Sequence, residues 1–389
     1  MGIMKNKMIK LLLPDYVETI LEKIEKAGFI AYAVGGCVRD LLRNVTPNDY
    51  DIATSAWPSD IKRIFPKTVD TGITHGTVSV IVPEGTVEIT TFRCDGHYSD
   101  NRRPDTVSFI SDVEEDLARR DFTVNAIAYN PKEGLCDPFS GRRDIESCVL
   151  RTVGDPETRF KEDALRILRL YRFSAQLGFS VEENTALYAK KLSDLLKNVS
   201  RERIYSEVEK LLKLGNALAL SSASFVLSVI FKGNFDDDTL TKVENCSSLA
   251  GKWALLCGDK TAEVLRSLRA PNTMINAAAE LSAYRPGEHI VMDVASLRYA
   301  SSEDFFAYLD NDEALSLWKK TIENGAPHSL ADLNISGKEV EAIGFHGKEI
   351  GAVLQALFMY AIQNPVYNKK ERLKEEAKWM YVQRKLQKE

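Results

Sequence analysis

No stretch of this 389-residue chain approaches the roughly 20 consecutive apolar residues that a membrane helix requires, so no membrane partner is expected. The opening "MGIMKNKMIKLLL" has too short an apolar run, and no small-residue cleavage site, for a secretion signal, which points to the cytoplasm. Cysteine and histidine are scarce: six thiols without a CxxC pair and five isolated histidines exclude the usual zinc spacings and leave single buried thiols. Neither sign of charge dominates, with 51 basic against 56 acidic residues and a net charge of -5. That balance excludes a surface coated all over by nucleic acid but permits a local basic patch. Internal repeats and low-complexity segments are also missing.

What is present supports an α+β protein of two to four domains, since 44% of the residues are hydrophobic and 28% charged. Residues 1–150 alternate strand-like runs ("FIAYAVGG", "TVSVIV", "TVEITTF", "FTVNAIAY") with helical ones ("PDYVETILEKIEKAG", "VRDLLRN"), the pattern of a mixed α/β head. From about Pro156 helical periodicity takes over, in "EDALRILRLYRFSAQLG", "ENTALYAKKLSDLLKN" and "RERIYSEVEKLLKLGN", each ending near Gly or Asn. The expected division is a head at 1–150, a neck at 151–215, a body at 216–300 and a tail at 301–389, the last three all helical. "GEHIVMDVAS" and "ENGAPHSLADLNISGKEV" read as interruptions of that helical run. The final block, "NPVYNKKERLKEEAKWMYVQRKLQKE", reads as a charged helix opened by a turn, its basic bias fitting a solvated face or a nucleic-acid patch equally well.

Gly35 and Gly36 follow a strand and precede a helix, where backbone N–H groups can approach phosphate oxygens; taken alone, they are more simply a tight strand-to-helix turn. Arg39, one turn on, suits a phosphate or a carboxylate of its own helix. A dozen residues later Asp49 and Asp51 flank Tyr50 in a strand-like run, which puts both carboxylates on one face roughly 7 Å apart along the backbone. Such a pair repels itself unless it is solvated or shares cations. Two Mg²⁺ ions on one strand face would activate a hydroxyl and neutralise a triphosphate, so phosphoryl chemistry leads. Glu88, between Val87 and Ile89, is the candidate third carboxylate, or an edge-strand glutamate in solvent.

Further on, Ala164, Ile167, Leu168, Tyr171 and Ala175 form one apolar stripe, while Asp163 and Arg166 lie three apart on another face. By pattern alone the latter are an exposed ion pair of little energetic weight. Arg169 and Arg172 continue that face, and Arg119, Arg120, Asp121 and Asn125 read as strand-end polar groups holding sheet to helix.

Taken in order, "VGGCVRDLL", "NDYDIAT", "GITHGTVSV", "VEITTFRCDGHY", "DLARRDFTVNAIAY", "DPFSGRRDI", "RFKEDALRILRLYRF" and "RERIYSEVEKLL" resemble the class II tRNA nucleotidyltransferases, the bacterial CCA-adding enzymes, from Val34 to Leu212. The resemblance implies Mg²⁺ on Asp49 and Asp51, Glu88 as supporting carboxylate, and Gly36 and Arg39 on the triphosphate. It puts Arg119, Arg120, Asp121 and Asn125 on ribose and phosphate, and Arg169 and Arg172 on the nucleotide. It makes Asp163 and Arg166 the base-selecting pair, with CTP, ATP and the tRNA 3′ end as partners. The polar run from Asp95 to Val107 would be the flexible loop that shifts the enzyme from C to A, and its "RRPD" argues against adding CC alone. The rivals are an A-adding or CC-adding enzyme or a poly(A) polymerase of the same fold, and a non-catalytic RNA-binding protein.

The chemistry of the pair is independent of the resemblance. Cytosine and adenine each present an amino donor beside a ring-nitrogen acceptor, whereas guanine and uracil present a carbonyl beside an N–H. Asp only accepts and Arg only donates, so a fixed Asp/Arg pair matches C and A and is left unsatisfied by G and U.

Overall fold

A computed structural model describes residues 10–72, 76–96, 107–214, 217–233, 235–285, 290–327 and 329–386. The chain forms two compact units, 1–235 and 236–389. Most of the Asp95–Val107 run and the His75 part of "GITHGTVSV" lie outside the described residues.

The first unit opens with α1 (Asp15–Lys26), β1 (Ala31–Val34), α2 (Gly36–Leu42), β2 (Asp51–Thr54), α3 (Pro58–Ile64), β3 (Thr68–Gly72), β4 (Thr77–Val82) and β5 (Gly85–Thr91). There follow β6 (Arg93–Asp95), β7 (Val107–Phe109), α4 (Val113–Ala118), β8 (Ala128–Asn130), β9 (Gly134–Cys136), α5 (Gly141–Glu146) and β10 (Val149–Leu150). Seven strands make one sheet in the order β3-β4-β5-β2-β1-β8-β9. Only β2 and β5 run parallel in it, and their register sets Asp51 opposite Glu88. Period-two alternation then does the rest: Ile52, Val87 and Ile89 turn into the core while Asp51 and Glu88 face the opposite way. Tyr32, Val34, Ala53, Phe92, Leu117, Ala126 and Val153 belong to a core cluster on the face of β1 and β2 that also carries Asp51.

The helical part of this unit contains α6 (Pro156–Glu162), α7 (Leu165–Leu177), a short strand β11 (Ser180–Val181) paired with β10, α8 (Glu183–Lys191), α9 (Arg201–Lys213) and α10 (Ala217–Phe231). Pro156 at the first position and Asp155 capping Thr158 N–H start α6, and Gly178 at φ 69° ends α7. Phe160, Ile167 and Leu168 are fully buried, each contributing about 2 kcal/mol by burial. Among its described residues the second unit is helical apart from turns and 3₁₀ segments, and the charged C-terminal block is the expected helix, Lys370–Leu386.

Four local expectations need correction. Asp49 and Tyr50 precede the strand, which starts at Asp51. "FTVNAIAY" is a 3₁₀ turn over Thr123–Asn125 followed by β8, because the Asn125 side chain is tied to Arg39 and Asp121 and holds the backbone curled. The run from Glu162 to Leu177 is two helices, since Asp163 is extended at φ -143°, ψ 99°. Within the expected interruption "GEHIVMDVAS", Ile290–Ala295 is helical.

Candidate active site

Two acids meet at the top of β2 and β5. Asp51 and Glu88 are ladder partners, and Asp49 stands exposed just before the strand. The Asp51 carboxyl is raised above the usual aspartate range, first by burial and then by the neighbouring Glu88 charge and more weakly by Asp49, with Arg120 acting in the opposite sense. Crowded acids of this kind gain from a divalent cation, so the donor set fits one. Among the described residues no three His, Cys, Asp or Glu side chains already stand close enough to enclose an ion.

Beside them the chain turns sharply from β1 into α2. Gly35 holds φ 75°, so the conformation demands glycine, and a Cβ there, 2.8 Å from Arg120 Nη1, would push that guanidinium aside. Arg39 is buried; its Nε and Nη2 donate to Asp40 and its Nη1 to Asn125 Oδ1 at 2.7 Å. Asn125 Nδ2 in turn donates to Asp121 Oδ1 at 3.2 Å, and Arg169 closes the chain with Nε and Nη2 on Asp121 Oδ2 at 3.0 and 2.6 Å. Burial alone would raise Asp121, but the Arg169 charge and these hydrogen bonds bring it down to about 2.

The break between α6 and α7 shapes the other wall. Asp163 and Arg166 do not pair with each other. Arg203 of α9 grips Asp163 with both terminal nitrogens, at 3.1 and 2.7 Å, while the Leu165 N–H donates to Asp163 Oδ1 at 3.1 Å. Arg166 is buried and donates to the carbonyls of Arg159 (3.0 Å) and Arg119 (2.9 Å) and to Glu162 (2.6 Å). The exposed ion pair that the pattern alone suggests is therefore replaced by two separately anchored groups.

Beneath this wall lies Phe173, with the guanidinium carbons of Arg39, Arg169 and Arg172 at 5.7, 5.2 and 3.9 Å from its ring centre. Arg172 Nε donates to the buried Glu207 at 2.5 Å, and Arg169 lies 3.7 Å from the other Glu207 oxygen.

These walls enclose a cavity of about 540 Å³. Gly35, Gly36, Arg39, Asp51, Glu88, Arg119, Arg120, Asp121, Asn125, Asp163, Arg166 and Arg169 all line it. Asp49 and Arg172 do not: the first stands outside the lining and the second faces Glu207 behind Phe173. Phe173 and Arg203 also line it; Arg203 falls inside "RERIYSEVEKLL", but nothing local in the sequence ties it to an acid 40 residues earlier. The six lining arginines outnumber the four lining acids, so the space favours an anion. A larger opening of about 690 Å³ in the second unit, along Asn334, Leu354 and Asn368, has Glu339 as its one lining acid, already held by Lys370 (2.7 Å) and Lys374 (3.1 Å).

Known proteins resemble this chain over most of its length. The family described as "Poly A polymerase head domain" matches residues 31–151, and "Probable RNA and SrmB- binding site of polymerase A" matches 178–220. A CCA-adding enzyme of Ligilactobacillus salivarius is 38% identical, over 92% of this chain and 95% of that one. One from Geobacillus kaustophilus is 36% identical, over 91% and 94%. The crystal structure of the Bacillus stearothermophilus CCA-adding enzyme in complex with CTP superposes with a TM-score of 0.78 at 30% identity, covering 97% of this chain and 100% of that one.

Proposed function

The chain belongs to the CCA-adding enzymes, and on that premise we propose how its own side chains carry out the reaction. It is a nucleotidyltransferase that adds CCA to the 3′ end of tRNA from CTP and ATP, releasing pyrophosphate. The observation that supports the assignment of roles is the single cavity lined both by Asp51 and Glu88 and by Asp163 and Arg166. One end is suited to phosphoryl transfer and the other to reading a base.

Asp163 has about four lone-pair positions, of which Leu165 and the two Arg203 nitrogens use three. One acceptor is left for an exocyclic amino group. Arg166 has five N–H donors and spends three on Arg159, Glu162 and Arg119, leaving two, of which one meets the ring nitrogen beside that amino group. Cytosine and adenine satisfy this set; uracil and guanine bring a carbonyl to Asp163 and an N–H to Arg166. A preorganised polar site of this kind discriminates by about 10⁴.

Arg39, Arg119, Arg120 and the backbone at Gly36 receive the triphosphate, with Asp121 and Asn125 fixing Arg39 and Arg169 and contacting the ribose. Arg172 supports the site from behind Phe173. Asp49 and Asp51, with Glu88 alongside, would hold Mg²⁺, which when bound would neutralise the triphosphate and lower the pKa of the attacking ribose hydroxyl. The head is 1–150, residues 151–215 choose the nucleotide, and the body (216–300) and the tail (301–389), with its basic closing helix, hold the tRNA by backbone and shape in the cytoplasm.

The test supplies tRNAs lacking their last three, two or one residues, with labelled CTP or ATP. The reading expects two C additions, one A, and then arrest. Unlimited ATP incorporation would make it a poly(A) polymerase, incorporation of one nucleotide alone a CC- or A-adding enzyme, and binding without incorporation an RNA-binding protein.

A further inference from the structure

Asp116 has no place in the roles above, yet it is completely buried. It sits on the last turn of α4, whose N-terminus is capped by Asp112. Its Oδ1 accepts from Arg119 Nε and Nη2 at 2.9 and 2.7 Å and from the Arg93 N–H at 3.3 Å, and its Oδ2 accepts from Arg120 Nη2 at 3.3 Å. The spacing 116, 119, 120 resembles an everyday helical ion pair, but those are solvated and weak. Here the carboxylate is fully desolvated, and both guanidiniums continue past it into the cavity lining.

Arg120 stands between two acids. Its Nη1 occupies the space that glycine leaves at position 35, its Nε is buried without a partner, and its charge is felt by Asp51. A guanidinium so placed can pair with Asp116 or swing toward Asp51 and Glu88. The hydrogen bond to Asp116 keeps it back, which leaves the two cavity acids open and the remaining N–H donors of Arg120 facing inward. Removing the Asp116 charge leaves two adjacent cations with no counter-ion, free to collapse onto Asp51 or turn to solvent.

We propose that Asp116 is a positioning residue of the nucleotide site, holding Arg119 and Arg120 where they receive the triphosphate of either incoming nucleotide. This rests on the reading that these arginines meet phosphates. Because CTP and ATP share the triphosphate, loss of Asp116 weakens both alike and leaves the choice of base, made at Asp163 and Arg166, unchanged. The same carboxylate fixes the backbone at Arg93, where β6 begins, so the β6–β7 ribbon and the two arginines share one anchor.

Equilibrium binding of CTP and of CMP, compared in the wild type and four variants, tests this. Asp116→Asn keeps the shape and removes the charge; it is expected to weaken CTP about tenfold to a hundredfold with CMP nearly unchanged, and to raise KM for CTP and ATP together. Asp112→Ala, which weakens the cap of α4 without touching either arginine, is expected to leave the CTP-to-CMP ratio as it was. An unchanged ratio in a folded Asp116→Asn protein, or the same loss in Asp112→Ala, overturns the proposal. Should Asp116→Asn not fold, Asp116→Glu retains charge but moves both arginines, and an unchanged ratio there is equally fatal. Arg120→Ala isolates the underlying reading: if it leaves the ratio intact, the phosphate assignment itself fails; if it lowers the ratio while Asp116→Asn does not, only the role of Asp116 falls.

Discussion

Arg203 holds Asp163 through both carboxylate oxygens, at 3.1 and 2.7 Å, from a helix 40 residues further along the chain. A charge-assisted pair of this geometry is directional, so it fixes how the one remaining acceptor is presented. Arg203→Ala frees the carboxylate to rotate, and misincorporation of UMP or GMP is expected to rise about tenfold, while Arg203→Lys gives a smaller rise because a point cation cannot match both oxygens. Primer-extension assays with each of the four triphosphates measure this; unchanged fidelity in Arg203→Ala would rule out the role.

Gly35 combines a φ of 75° with a Cβ position 2.8 Å from Arg120 Nη1. Gly35→Ala therefore strains the backbone by about 1 to 2 kcal/mol and displaces a guanidinium in the cavity. The expected result is a kcat/KM at least tenfold lower with a modest fall in Tm. Activity and Tm both at wild-type levels would show that the turn has more room than its geometry indicates.

Asp121 is held down to about 2 by Arg169 against the effect of its own burial. A depressed carboxylate stabilises the fold fully above its unfolded pKa, near 4, and that contribution disappears as pH falls toward 2. The linkage is on the order of 2 kcal/mol. Urea unfolding of the wild type and of Asp121→Asn, at pH 7 and again near pH 3, is expected to show a gap between the two proteins that narrows in acid.

Glu207 is buried between Arg172 at 2.5 Å and Arg169 at 3.7 Å. Burial works against the Arg172 charge, and Glu207 offsets it. Glu207→Gln leaves that cation without its counter-ion and is expected to cost on the order of 3 kcal/mol, most of it regained when Arg172→Met is added. Denaturant midpoints of the single and double variants check this; additive losses would mean the two residues are not coupled.

Asp49 stands outside the cavity lining, yet its charge reaches Asp51. Asp49→Ala is expected to abolish transfer and leave tRNA binding measurable, and filter binding beside the incorporation assay separates the two. Equal loss of both would assign Asp49 to RNA binding or folding.

The sheet and the acids were legible because period two is a local signal: Val87, Glu88 and Ile89 declare their faces without help from distant residues. The parallel pairing of β2 with β5, which joins Glu88 to Asp51, is non-local and came only with the fold. The break at Asp163 was hidden because Ala164 and Leu165 are good helix formers, and what overrides their propensity is the pull of Arg203 and the Leu165 N–H on the carboxylate. Arg166 was not legible as a buried side chain, since two of its anchors are backbone carbonyls and carry no side-chain signature. Asp116 was obscured for the opposite reason, its spacing to Arg119 and Arg120 being too ordinary to attract notice.

The benzene ring of Phe173 has a cation from α2 and two from α7 gathered about it. On the proposed reading, it is a common origin from which the phosphate end and the base end of the pocket are both measured. Drift at that one ring would misalign the two ends together, so specificity and turnover should deteriorate in step when Phe173 is exchanged for a non-aromatic side chain, even though carbon atoms there perform no chemistry.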